Sequence, residues 1–377
     1  MDKIFLSTGL SFIITFFSIP VIIQVAKDKR LFDEPDERKL HKTVIPTLGG
    51  LGIFAGFVMA MLLGVPVELN NNIQYFMAAI VVVFFLGLKD DILILSATKK
   101  FAGQIIAAGI LMRFADVRIH DLHGLFGIHQ LPNMASIVIT MLTIIMITNS
   151  FNLIDGVDGL AGSLGVLSTI CFGFYFYLAG QFTFAVMAFS LCGGLIGFLI
   201  YNFSPAKIFM GDTGSLIVGL VNSILLIKFI QIASNPQAAY YVPAAPAVAF
   251  AVLMTPLFDT IRVFSMRILH RRSPFSPDRN HIHHFILDIG LNHRNTTLVC
   301  VAANIIFILT AVFLRNIDST YLSLILLAEG SMATGMVFLL RKKNIARQML
   351  INGEQKEQEI IKTHKVFNLV SEPVNAE

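Results

Sequence analysis

Apolar residues in this chain come in long unbroken runs, and the polar residues are gathered between them. A membrane-crossing helix needs ~20 apolar residues in a row. Eleven runs qualify, at about 4–25, 47–66, 73–89, 100–115, 135–151, 160–179, 183–201, 213–233, 244–268, 295–315 and 320–340. The fourth is short and amphiphilic at its ends. The pattern predicts an all-α polytopic membrane protein with about eleven transmembrane helices. Residues 1–343 would form one transmembrane domain, and 344–377 a polar tail. Most connections are short, and no internal repeat of the transporter kind is visible. The longer connection at 116–134 alternates and carries glycines, which predicts a short hairpin.

Composition sharpens this. The chain is 55% hydrophobic and 14% charged, with a mean hydropathy of +0.74. Soluble domains carry about 25% charge, so a soluble core is excluded. No small-residue cleavage site follows the first run, so it is expected to remain as a span. Cys171, Cys192 and Cys300 all lie inside apolar runs. They imply neither a disulfide frame nor a zinc site.

The net charge of +4 does not by itself point to nucleic acid, but its placement is informative. Of the 28 Lys and Arg residues, 22 fall in 27–46, 89–100, 202–212, 267–294 and 341–377. The opposite loops carry Arg113, Arg118 and Arg315. The positive-inside rule then puts the first set and the C-terminus in the cytoplasm, and the N-terminus outside. An odd number of spans agrees.

Five polar clusters stand out, all on the cytoplasmic side: 35–50, 88–100, 149–160, 201–215 and 271–284. Polar groups at membrane helix ends are costly, and they commonly face a ligand, an ion or water. Five on one face predict a single site built from several loops. A transporter would instead place its polar groups near mid-membrane.

Each cluster has a chemical and a structural interpretation. Asp90 and Asp91 could hold a divalent cation or supply a base, or could cap a helix end in water. Lys100 suits a phosphate, or simply snorkels. The stretch Asn149–Gly162 holds two asparagines and two Asp-Gly pairs. Were it helical, Asn152, Asp155 and Asp158 would share a face and offer oxygen ligands of the kind magnesium takes. Otherwise it is a polar hinge. Asp212 lies between two glycines before a span, where Thr213 and Ser215 could cap an anion-binding helix N-terminus, or Asp212 could cap it alone. The 271–284 loop holds Arg271, Arg272, Arg279, His281, His283 and His284. It suits a diphosphate and a sugar, anionic lipid, or zinc, though without cysteine or helical histidine spacing. Asp259 and Arg262, three apart, are expected to pair with each other structurally.

In order and spacing, the clusters from about Pro35 to His284 resemble the polyprenyl-phosphate N-acetylhexosamine-1-phosphate transferases, glycosyltransferase family 4. The loop SPFSPDRNHIHH resembles the bacterial branch acting on UDP-N-acetylglucosamine and undecaprenyl phosphate. The peptidoglycan branch, acting on UDP-N-acetylmuramoyl-pentapeptide, has three consecutive histidines instead. The resemblance implies a multi-pass protein of the bacterial inner membrane that makes undecaprenyl-diphospho-N-acetylglucosamine and UMP. That is the first membrane step toward O-antigen, enterobacterial common antigen or teichoic acid linkage units. It implies magnesium, with manganese as the alternative, held by Asp212 and Asn152. Asp90, Asp91 and Asp212 would be catalytic, with Asp90 serving rate and Asp91 positioning. Lys100 would hold a phosphate. Asn149, Asp155 and Asp158 would bind substrate, Asp158 near the uracil with Phe209 stacked on it. Arg279, His281, His283 and His284 would hold the diphosphate and sugar. The lipid would enter laterally, and a homodimer is compatible with such a bundle. The competing expectations are another UDP-N-acetylhexosamine, the muramoyl-pentapeptide substrate, transport of an anion or nucleotide sugar, and a non-catalytic scaffold.

Overall fold

The computed structural model describes residues 2–29, 45–66, 72–93, 95–271 and 280–370. Among these, thirteen α-helices follow one another: α1 Asp2–Asp28, α2 Gly49–Gly64, α3 Ile73–Leu93, α4 Ala97–Phe114, α5 Asn133–Ile154, α6 Leu160–Leu178, α7 Phe182–Asn202, α8 Gly211–Ala233, α9 Ala245–Val252, α10 Met254–Leu269, α11 Ile282–Asp288, α12 His293–Phe313 and α13 Ser319–Val370. Each of the eleven expected spans coincides with a helix, or with the pair α9 and α10. Helices satisfy their own backbone groups, which is the condition for crossing lipid.

Seven of these helices (α1, α5, α6, α7, α8, α12 and the first part of α13) are long and apolar enough to cross a membrane alone. The expected ninth span is broken. α9 and α10 meet at 86° around Leu253. The break leaves backbone groups without helical partners, and Asn304 of α12 takes them up. Its Oδ1 accepts from Thr255 N–H at 2.8 Å, and its Nδ2 donates to the Val252 carbonyl at 3.0 Å.

α8 is the axis of the bundle. Nearly every residue from Thr213 to Ile230 is buried, and α2, α3, α5, α6 and α9 pack around it. Its buried Asn222 and Ser223 donate to their own helix, to Val218 and Leu220 carbonyls. The 116–134 connection closes as expected, around one antiparallel bridge between Asp121 and Gln130.

Candidate active site

The N-terminus of α8 is where four of the clusters meet. Gly211 opens the helix at φ +70°, a left-handed conformation natural to glycine. A Cβ there would lie 2.1 Å from the Thr47 carbonyl oxygen and 2.8 Å from both Asp91 carboxylate oxygens. Residues 46–50 run alongside: Phe209 N–H donates to the Pro46 carbonyl, and Gly49 and Gly50 N–H donate to the Phe209 and Met210 carbonyls.

The helix is capped from outside itself. Asp91, on α3, accepts from Asp212 N–H at 2.7 Å, Thr213 N–H at 3.0 Å and Thr213 Oγ1–H at 2.5 Å. A carboxylate on a helix N-terminus offsets its dipole and its unpaired N–H groups. Self-capping by Asp212, Thr213 or Ser215 is therefore not what forms. Asp212 is released to point elsewhere.

Its Oδ2 lies 2.6 Å from Lys100 Nζ, and its Oδ1 accepts from Asn152 Nδ2 at 2.9 Å. Asn152 also donates to Ser215 Oγ at 3.1 Å. Lys100 is held on its other side by Asp90, whose Oδ1 accepts from Leu95 N–H. Adjacent positions on a helix project about 100° apart, so Asp90 meets the lysine while Asp91 meets α8.

α5 ends at Ile154, so the 149–160 stretch does not continue as one helix. Asp155 sits at its C-cap. Asn152, Asp155 and Asp158 consequently share no face. Asp155 lines the site. Asp158 is buried beyond it, accepting from Ala206 N–H at 3.1 Å, with His293 Nδ1 3.1 Å from its other oxygen. Its carbonyl accepts from Thr297.

Beside this cluster lies a cavity of about 600 Å³, within the size range of small-molecule sites. It is lined by Lys100, Asn149, Asn152, Asp155, His281, His283 and His284, together with Phe101, Gln104, Phe264 and Arg267. The first seven were expected from the sequence, and the last four were not. Gln104 lies within the fourth apolar run, and nothing beside it in sequence marks it out. In the fold it is buried and exchanges hydrogen bonds with Asn149, at 2.8 and 3.2 Å. Asp90, Asp91, Asp212, Asp158 and Phe209 are not among the lining residues, and the first three sit behind Lys100 and Asn152. Arg279 and residues 35–44 lie outside the described residues.

The histidines are organised by Asp259, which is 1% exposed. It accepts from His281 Nδ1 at 2.9 Å, from Ile282 N–H at 3.0 Å and from Arg262 at 2.8 Å. The expected Asp259–Arg262 pair exists, and the same carboxylate also orients the His281 ring through Nδ1, with Nε2 on the opposite side. His283 packs against Gly156, where a Cβ would lie 2.8 Å from its Nε2. Burial, and then the neighbouring His284, push His283 down to about 3, so it is neutral at physiological pH.

Negative charge exceeds positive at the Lys100 end. Asp155 is held well above the usual carboxylate range, first by burial and then by the charges of Asp212, Asp91 and Asp158. Asp212 and the amide oxygen of Asn152 are the groups that would hold a divalent cation in this field, in exchange for the contacts Asp212 makes with Lys100 and Asn152 Nδ2. Among the described residues no three His, Cys, Asp or Glu side chains form a ligand group. An ion here would complete its shell with water and substrate phosphates, as magnesium commonly does.

Comparison with known proteins gives the family. The family model described as glycosyl transferase family 4 matches residues 73–230, which include Asp90, Asp91, Lys100, Asn152 and Asp212. A probable undecaprenyl-phosphate N-acetylglucosaminyl 1-phosphate transferase from Bacillus subtilis (strain 168) is 32% identical over 343 residues, covering 84% of this chain and 87% of that protein. An undecaprenyl-phosphate alpha-N-acetylglucosaminyl 1-phosphate transferase from Yersinia pestis is 29% identical, covering 80% and 83%. A decaprenyl-phosphate N-acetylglucosaminephosphotransferase from Mycobacterium leprae (strain TN) is 33% identical, covering 76% and 77%. With such identity sustained over most of both chains, this protein belongs to glycosyl transferase family 4, among the polyprenyl-phosphate N-acetylhexosamine-1-phosphate transferases.

Proposed function

We propose that the protein transfers N-acetylglucosamine 1-phosphate from UDP-N-acetylglucosamine to undecaprenyl phosphate, at the cytoplasmic face of a bacterial inner membrane. The observation that carries this is the convergence of Lys100, Asn152 and three histidines on one cavity, with Asp212 bound to both Lys100 and Asn152. That is an arrangement for phosphates at one end and a sugar diphosphate at the other. Eleven spans, counting α2, α3, α4 and the bent α9–α10 pair with the seven above, put the N-terminus outside and the C-terminus in the cytosol, in accord with the charge distribution.

In the reaction, an oxygen of the lipid phosphate attacks the β-phosphorus of the nucleotide sugar. The bond from that phosphorus to the bridging oxygen breaks, and UMP leaves with the electron pair. A phosphate monoester has a second pKa of about 6, so the nucleophile is already mostly dianionic and little proton is left to remove. Lys100 orients and screens the attacking phosphate, and Asp90 fixes Lys100. Asp91 acts by positioning, through its cap on α8. Asp212 and Asn152 would hold magnesium, which would neutralise the diphosphate and the leaving group. His281, His283 and His284 hold the donor diphosphate and sugar. The prenyl chain stays in the bilayer and reaches the site laterally. Separation of the histidines by Ile282 favours N-acetylglucosamine over the muramoyl-pentapeptide donor.

The test is transfer of label from UDP-N-acetylglucosamine into organic-extractable lipid by purified protein with undecaprenyl phosphate and magnesium. Label should appear, vanish with EDTA, and fall by about a hundred- to a thousandfold in Asp212→Ala, the range that one preorganised electrostatic group is worth. Absence of label with this donor, but label with another UDP-N-acetylhexosamine, would correct the sugar. Absence with all of them, in well-folded protein, would overturn transfer in favour of transport.

A further inference from the structure

His283 and His284 ride on α11, a helix of seven residues. A helix this short is not stable alone in water, so its place in the site depends on what grips it. At its first turn the grip is Asp259 of α10, which accepts from Ile282 N–H. At its last turn the grip comes from α13, a helix outside the matched family region and contributing nothing to the cavity wall.

Three contacts make that second grip. Asn344 Nδ2 donates to the carbonyls of Asp288 at 3.2 Å and Ile289 at 3.0 Å, groups a helix end leaves without intrahelical partners. Arg341 Nη2 lies 2.8 Å from Asp288 Oδ2. The Arg341 guanidinium also lies 4.3 Å from the ring centroid of Phe285, whose ring has the Arg262 guanidinium 5.3 Å away as well. Phe285 is buried, and cations over an aromatic ring in such surroundings attract it. Both ends of the histidine helix are thus tied by side chains of other helices, one from α10 and one from α13. α13 runs unbroken from Ser319 through Arg341 and Asn344, so the rod that carries the polar tail is also the rod that holds the histidines.

We propose that Arg341 and Asn344 are positioning residues for the donor half of the site. They hold α11 so that His283 and His284 stay in the cavity wall. The kinetic consequence rests on the transfer reaction proposed above, and the structural consequence does not.

Two measurements test this on the full chain in detergent. In hydrogen–deuterium exchange, Arg341→Gln and Asn344→Ala should speed exchange of the amides in 284–289 about tenfold, as loss of a local tie does. In transfer assays the same variants should raise the KM for UDP-N-acetylglucosamine about tenfold. The KM for undecaprenyl phosphate and the melting temperature should stay unchanged. Arg341→Lys should recover most of the loss, because it keeps a cation for Asp288 and Phe285. Lys342→Gln, a neighbouring exposed charge, should behave as wild type. Unchanged exchange in both variants would overturn the proposal. So would a joint rise in both KM values that tracks a lower melting temperature. If wild type labelled no lipid at all, the transfer reading would fall, while the exchange data would still decide whether Arg341 and Asn344 hold α11.

Discussion

Lys100 meets the N-terminal end of α8 and Lys228 lies within the C-terminal part of that helix, and their surroundings differ in kind. Lys100 lies between the carboxylates of Asp90 and Asp212 and opens onto the cavity. Lys228, on α8 itself, is 8% exposed and donates to the backbone carbonyl of Asp116 at 2.6 Å. Its carboxylate neighbour, Asp116, stands off at 3.9 Å. Around it, Gln231 donates to the Asp116 and Arg118 carbonyls, and Arg118 donates to Ser136 and Asn133. The Lys228 network ties α8 and the start of α5 to the connection at 116–118 and so fixes a fold. The Lys100 network sets carboxylates and a lysine around a space, which is what a site for a charged ligand requires. A buried charge is informative only once its partners are known.

Substitution can break this contrast. Lys100→Met is expected to lower turnover at least about a hundredfold, with Asp90→Asn lowering it less through loss of the lysine's support. Near-normal turnover in both, measured by label transfer to lipid, would remove the chemical half of the contrast. Lys228→Met should do the opposite. Losing a charge-assisted hydrogen bond costs about 1–3 kcal/mol of stability. A lower melting temperature with unchanged turnover per folded molecule is the expected result. A turnover defect at full stability would make the Lys228 network functional after all.

The smallest effect concerns pH. His283 titrates in the fold at about 3, against 6.5 for an unburied histidine. The unfolded chain therefore binds a proton that the folded chain refuses. The associated stability is complete above pH 6.5 and is lost as pH falls toward 3, by at most about 1.4 kcal/mol per pH unit. His283→Gln should flatten thermal stability between pH 6.5 and 5, and an unchanged slope would assign the acid sensitivity elsewhere.

The helices were legible because lipid demands long apolar runs, and the site because polar groups interrupt those runs on one side. Lys100, Asn152, Asp155 and the three histidines line one cavity, as polar clusters gathered on one side led one to expect. What was hidden depended on direction. Asp90 and Asp91 are neighbours in sequence, yet one holds a lysine and the other caps a distant helix. Asp158 follows Asp155 by three residues, but the helix stops between Asn152 and Asp155, and the later carboxylate turns into the scaffold. Gln104 and Arg267 looked like ordinary members of an amphiphilic helix and a basic loop. Their sequence neighbours carry no sign of what faces them across the cavity. Asp259 was legible as a partner of Arg262, but not as the residue that orders the histidine loop, since His281 lies 22 positions on.

The bend between α9 and α10 bears on how this chain can vary through descent. Asn304 meets the break with one acceptor and one donor at once. An aspartate would lack the donor and a leucine both, so a carboxamide is what the neighbouring backbone asks for. Drift at that position is thus constrained by the course of another helix, and a lineage that straightened the turn would be free to lose the asparagine.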